Sequence, residues 1–126
     1  MKAVLAAAAM AASMVAAAAG QEALNAPGAL LRGLDTIAGK ARDISIRIGE
    51  TVKYGRLEIT LHECRYLSEN PVGNAFARLS IYSEISGKLV FGGWMLSSSP
   101  ALSSMDHQRY DVWLIRCNTV EPVDAG

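Results

Sequence analysis

A chain of 126 residues with twelve basic and twelve acidic side chains and two cysteines holds one domain at most. A formal net charge of zero argues against non-specific nucleic-acid binding and against an electrostatic membrane patch.

The first nineteen residues inflate the apolar content. Lys2 precedes the apolar run from Ala3 through Ala12, and Ala17-Ala18-Ala19 stand before Gly20. A basic start, an apolar middle and small residues at −3 and −1 make Met1–Ala19 a secretory signal peptide, expected to be helical and cleaved after Ala19. Retention as an anchor is the alternative; alanine is barely favourable in hydrocarbon, so the segment spans poorly. The expected location is the periplasm, with no membrane span after cleavage.

Residues 20–29 have no apolar period and contain Asn25, Pro27 and Gly28, which reads as a flexible leader; residues 30–118 are then one β domain and 119–126 a polar tail. Ala29–Ala38 is ambiguous: Leu30, Leu31, Leu34 and Ile37 fit a helical stripe, which Gly33 and Thr36 weaken, and a strand turning at Gly39-Lys40 is favoured because Arg42–Ile48 needs a partner. There Ile44, Ile46 and Ile48 alternate with Asp43, Ser45 and Arg47, the mark of a half-buried strand. Thr51–Tyr54 is a short strand. Arg56–Cys64 places Leu57, Ile59 and Leu61 inward and His62 outward, so Cys64 falls on the outward parity unless a bulge intervenes. Ser68–Asn74 reads as a loop. Ala75–Ser83 is a strand with Ala77, Leu79 and Ile81 inward, and Ser86-Gly87-Lys88 turns it into Leu89–Leu96. The pair Gly92-Gly93 marks a bulge, a sharp bend or a close backbone approach.

Ser97–Gln108 is a long serine-rich connection, with a helical turn at Pro100–Met105 as one option. Arg109–Cys117 is apolar on both faces and therefore expected at the centre of its sheet. The sum is an all-β fold, a small antiparallel β-sandwich or barrel of six to eight strands.

Two cysteines in an exported chain read as one disulfide, Cys64–Cys117. A Cys₂His₂ metal carrier with His62 and His107, or a soft copper site of Met95, Met105 and His107, is the sharper alternative; the spacing matches no compact zinc module. A hydrolase drawing on Ser97, Ser98, Ser99, Ser103 or Ser104 with His107 and Asp106 or Asp111 is a further alternative, without a nucleophile elbow. No catalytic set, metal site or cofactor is therefore assigned. Trp113 is expected in the core. The candidate binding surface is Trp94, Met95, Ser97, Ser98, Ser99, His107, Tyr110 and Asp111, with Asp111 hydrogen-bonded and bracing the serine loop. The expected partner is an envelope protein.

The segments Gly49–Tyr66 and Phe91–Cys117 carry a resemblance. Gly93-Trp94-Met95, Ser98 through Leu102 and Tyr110-Asp111-Val112-Trp113 occur together and in order, with Gly49, Gly55, Cys64, His107 and Cys117. This set resembles a proteobacterial family of small exported proteins, domain of unknown function 2155. The resemblance implies an exported, cysteine-paired domain over about residues 30–117 and no assigned activity.

Overall fold

The computed structural model describes residues 23–68, 70–98, 105 and 107–119, with the backbone alone for 70–73. Eight strands are seen among them: β1 (Ala23–Asn25), β2 (Gly28–Asp35), β3 (Lys40–Arg47), β4 (Thr51–Tyr54), β5 (Leu57–Leu67), β6 (Asn70–Ser83), β7 (Lys88–Leu96) and β8 (Tyr110–Asn118). The fold is all-β, two antiparallel sheets face to face. One runs β1-β5-β6-β7, with β4 also paired to β5; the other runs β3-β2-β8.

Alternation builds the core. Leu57, Ile59 and Leu61 of β5 and Ala77, Leu79 and Ile81 of β6 point inward, against Leu31 of β2, Ile46 of β3 and Val112 and Leu114 of β8, all fully buried. β8 packs across the core on β6. The chain changes sheets three times, at Ala26-Pro27 between β1 and β2, at Ile48–Glu50 between β3 and β4, and between β7 and β8. Ile48 donates to the Pro27 carbonyl at 3.0 Å and Gly49 to that of Leu61 at 2.7 Å, which ties the first two crossovers to each other and to β5.

The hairpins expected at Gly39-Lys40 and at Ser86–Lys88 are present, and several other expectations are corrected. The flexible leader is ordered from Ala23 on: β1 pairs with Arg65–Leu67 of β5, and Ala26 and Ala29 are buried. β3 ends at Arg47, so Ile48 leaves the alternation and is exposed. The expected loop at Ser68–Asn74 is shorter, because β6 begins at Asn70. The bulge between β6 and β7 falls at Val90, not at Gly92-Gly93, since Ile81 pairs with Phe91 and Tyr82 with Leu89. β8 lies at the end of its three-stranded sheet, not at its centre. Only one of its faces meets the core, so Trp113 is half-buried on the other. The option of a helical turn at Pro100–Met105 concerns residues of which only Met105 is described; it is buried.

Two bulges decide the fate of the cysteines. The β5–β6 register shifts between Leu61 and Glu63, leaving His62 as the extra residue. The β2–β8 register pairs Leu30 with Arg116 but Leu31 with Leu114, leaving Ile115 as the extra residue. Each bulge reverses the side-chain parity beyond it. Cys64 and Cys117, outward by simple alternation from Leu61 and Leu114, are thereby turned into the core, 1% and 2% exposed. They form a disulfide with Cα atoms 5.8 Å apart across 53 residues.

Candidate functional site

The turns β2–β3, β4–β5 and β6–β7 and the residues leading into β8 gather at one end of the sandwich, around Tyr110. Gly55, in the β4–β5 turn, has φ +58°, where an L side chain is strained. A Cβ there would also strike the Tyr110 ring and hydroxyl. The Tyr110 hydroxyl accepts the Arg56 amide at 3.2 Å. Tyr54 meets Tyr110 edge-on, with centroids 5.6 Å apart, and lies over Gly33, where a Cβ would collide with its ring. Burial raises the Tyr54 pKa.

His107 locks the entry to β8. Its Nδ1 accepts the amides of Arg109 at 3.0 Å and Tyr110 at 3.1 Å. In the neutral ring that places the proton on Nε2, which meets Ser83 Oγ at 3.3 Å. Ser83 is itself fully buried. Both ring nitrogens are thus engaged in holding the chain. Asp35, at the end of β2, grips Arg109 through two oxygens, at 3.1 and 2.9 Å. Asp35 also accepts the amides of Ile37 and Ala38, both at 3.1 Å. The Arg109 hydrogen bonds first, and the turn amides after them, hold the Asp35 pKa at about 2.

Above this lock lies a pocket of about 390 Å³ lined by Ile37, Ile85 and Val90 on its apolar side and by His107, Gln108 and Arg109 on its polar side. Ile37 and Ile85 stand on the tips of separate hairpins and are 74% and 58% exposed. Isoleucine on a solvent-facing turn gains nothing from its own fold. The arrangement is a shallow apolar mouth over a rigid polar floor.

The expected binding surface divides between the two ends of the sandwich. His107 and Tyr110 belong to the lock, and Tyr110 is 3% exposed. Asp111 is half-buried on the outward face of β8, and its carboxylate makes no hydrogen bond among the described residues, most of the serine loop lying outside them. The carboxylate that grips Arg109 is Asp35. Asp35 sits in an ordinary strand-end position, and the only sequence signal was its place before a turn. At the other end Met95 is buried, Trp94 is partly exposed on the outer sheet face and Ser98 is exposed. Ser97 pins the start of the β7–β8 connection: its amide donates to the Ala75 carbonyl at 3.0 Å, and its Oγ accepts the Ala75 amide at 2.9 Å. Ser99, Ser103, Ser104 and Asp106 lie outside the described residues.

The hydrolase alternative required a loop serine on one His107 nitrogen and a carboxylate on the other. His107 instead meets the core residue Ser83 and two backbone amides. The Cys₂His₂ alternative loses its thiolates to the disulfide, and His62 is hydrogen-bonded to Ser80 at 2.7 Å.

A family model described as "Uncharacterized protein conserved in bacteria (DUF2155)" matches residues 29–117, from β2 to the second cysteine. The chain belongs to this family. The DUF2155 span contains the disulfide, both parity-reversing bulges and every residue of the Tyr110 lock. "Uncharacterized protein RP359" of Rickettsia prowazekii (strain Madrid E) is 29% identical over 89 residues, covering 67% of this chain and 56% of the relative. The chain thus spans little more than half of that protein. No solved structure matches it.

Proposed function

We propose that this DUF2155 domain is an exported, periplasmic binding module of the cell envelope that works without catalysis, and that it engages an envelope protein through the mouth formed by Ile37, Ile85 and Val90. The observation that carries the reading is the pair of exposed isoleucines on two rigid hairpin tips, directly above a lock whose polar groups are engaged with one another. Such a surface offers apolar anchors on a preorganised frame, the features that concentrate binding energy in protein interfaces. Export is supported by the signal-like amino terminus and by the buried disulfide, which persists in oxidising compartments. Replacing both tips, Ile37→Asp with Ile85→Asp, leaves the core untouched. In cells cross-linked before lysis, the double variant should lose the captured protein while accumulating to normal levels. Capture equal to the parent's would reject the mouth as the interface.

A further inference from the structure

The mouth stands on two hairpin tips, and one titratable ring joins them. The tip carrying Ile37 is tied to Arg109: the Thr36 amide and hydroxyl donate to the Arg109 carbonyl at 2.8 and 2.7 Å, and Asp35 grips the Arg109 guanidinium. The tip carrying Ile85 is tied to Ser83, whose carbonyl accepts the Gly87 amide at 2.8 Å and whose Oγ accepts the Ser86 amide at 3.4 Å. His107 lies between the two sets, its Nε2 on Ser83 Oγ and its Nδ1 on the amides of Arg109 and Tyr110. β8 is the end strand of its sheet among the described residues, and the imidazole supplies the acceptor for its first amide.

We propose that His107 is a pH switch for this mouth, holding the two tips together while the ring is neutral and releasing the start of β8 when Nδ1 takes up a proton. This regulation rests on the reading of the mouth as a binding surface. The reason is a count of acceptors. A neutral imidazole has one acceptor nitrogen, and here that nitrogen serves two amides; the imidazolium has none. A proton on Nδ1 would set three N–H donors against one another, so the charged ring and the two amides must part. Acid therefore favours the released form. The Nε2 proton is present in both forms and keeps its bond to Ser83. The ring then stays with the Ile85 tip, while Arg109 stays with the Ile37 tip. Of the side-chain types in the lock, only histidine ordinarily changes charge between about pH 5 and 8. Asp35 is held at about 2, first by its hydrogen bonds to Arg109, so its window lies lower. The hydrogen bond to Lys53, and after it that to Arg56, lowers Glu84; the same Glu84 raises Lys53, and burial raises Tyr54. Arg56 and Arg109 carry fixed charge. The Tyr110 ring packs on the imidazole with centroids 5.3 Å apart, and Asp106, next in the chain, lies outside the described residues. The other histidine, His62, is bonded to Ser80 on the outer face of the five-stranded sheet.

The test needs no partner. Amide hydrogen exchange of the disulfide-bonded protein is followed by nuclear magnetic resonance from about pH 7.5 to about pH 5, across the range in which an imidazole titrates. Each rate is divided by that of an unstructured peptide at the same pH. Protection at Arg109 and Tyr110 should fall by up to about tenfold per pH unit below about pH 6.5, the limit for one linked proton. Ile37 and Ala38, bonded to Asp35, should show no such fall. The neutral His107 ring should carry its proton on Nε2. His107→Asn keeps an acceptor at this place and cannot titrate, so its Arg109 and Tyr110 protection should be flat with pH, whereas His62→Gln should behave as the parent. Protection independent of pH at both amides in the parent, or a neutral ring protonated on Nδ1, would overturn the switch, and neither result depends on a variant that folds. An equal fall in His107→Asn would overturn it as well. In intact cells, adducts from a photoreactive side chain at Ile37 or Ile85 should decrease between about pH 7.5 and about pH 5.5 in the parent and not in His107→Asn. Absence of any adduct at the higher pH would instead reject the mouth as the interface, with the exchange result still deciding the switch.

Discussion

His107 is the residue on which sequence and structure differ most in meaning. A histidine beside serines and aspartates invites a catalytic reading, yet its Nδ1 serves as an acceptor for the amides two and three residues on, the role an asparagine plays in a turn. His107→Ala should therefore cost about 1–2 kcal/mol, and His107→Asn should recover much of it; denaturant titration reads both, and equal loss in the two variants would deny the capping role. Gly55→Ala tests the other half of the lock. The left-handed backbone alone costs about 1–2 kcal/mol, and the Cβ displaces Tyr110 as well, so the loss in a denaturant melt should exceed that figure. Asp35 sets the pH response. Its pKa is lowered to about 2 in the folded state from about 3.9 in an unfolded chain, so its stabilisation is complete above about pH 4 and is lost as pH falls towards 2. Asp35→Asn should lower stability at neutral pH and flatten the acid limb between those values, as followed by thermal melts; an unchanged acid limb would remove Asp35 from the account.

At the scale of elements, side-chain alternation made most strands legible, because burial of one face imposes a period of two. β3, β5 and β6 are read from Ile44 and Ile46, from Leu57, Ile59 and Leu61, and from Ala77, Leu79 and Ile81. What alternation could not supply is where it breaks. Nothing in the residues His62 or Ile115 announces a bulge, since the extra residue is defined by the partner strand's register, a tertiary fact. β1 was hidden for a similar reason: three exposed residues become a strand only because β5 offers an edge. β8, apolar on both faces, looked central, but Trp113 and Ile115 face outward, half-buried, at the end of a three-stranded sheet. The disulfide joins β5 to β8, and so one sheet to the other. Under the loop-entropy model its 53-residue separation corresponds to roughly 4 kcal/mol. The double variant Cys64→Ser with Cys117→Ser should fall by about that amount in a guanidinium titration; a change under about 1 kcal/mol would show that the sandwich holds without its staple.

The whole molecule is a rigid frame with two different ends. At one, hairpin tips carry Ile37 and Ile85 above the Tyr110 lock; at the other, Trp94 and Arg65 flank the point where the chain enters. Residue types alone had gathered Trp94 and His107 into one surface because they are close in sequence. The β7–β8 connection between them starts pinned by Ser97 at one end of the sheet and finishes locked by His107 at the other, so sequence proximity misled. The opposite error hid the mouth: Ile37 and Ile85 lie 48 positions apart, and each alone is an unremarkable turn residue. The most direct test of the central claim is site-specific photo-cross-linking in intact cells, with the photoreactive side chain placed at Ile37, at Ile85 and, as a control on the sheet surface, at Glu58. The account predicts a discrete adduct of the same mass from positions 37 and 85 and none from 58. Equal adducts from all three positions, or none from 37 and 85 in a protein that is exported and disulfide-bonded, would contradict it.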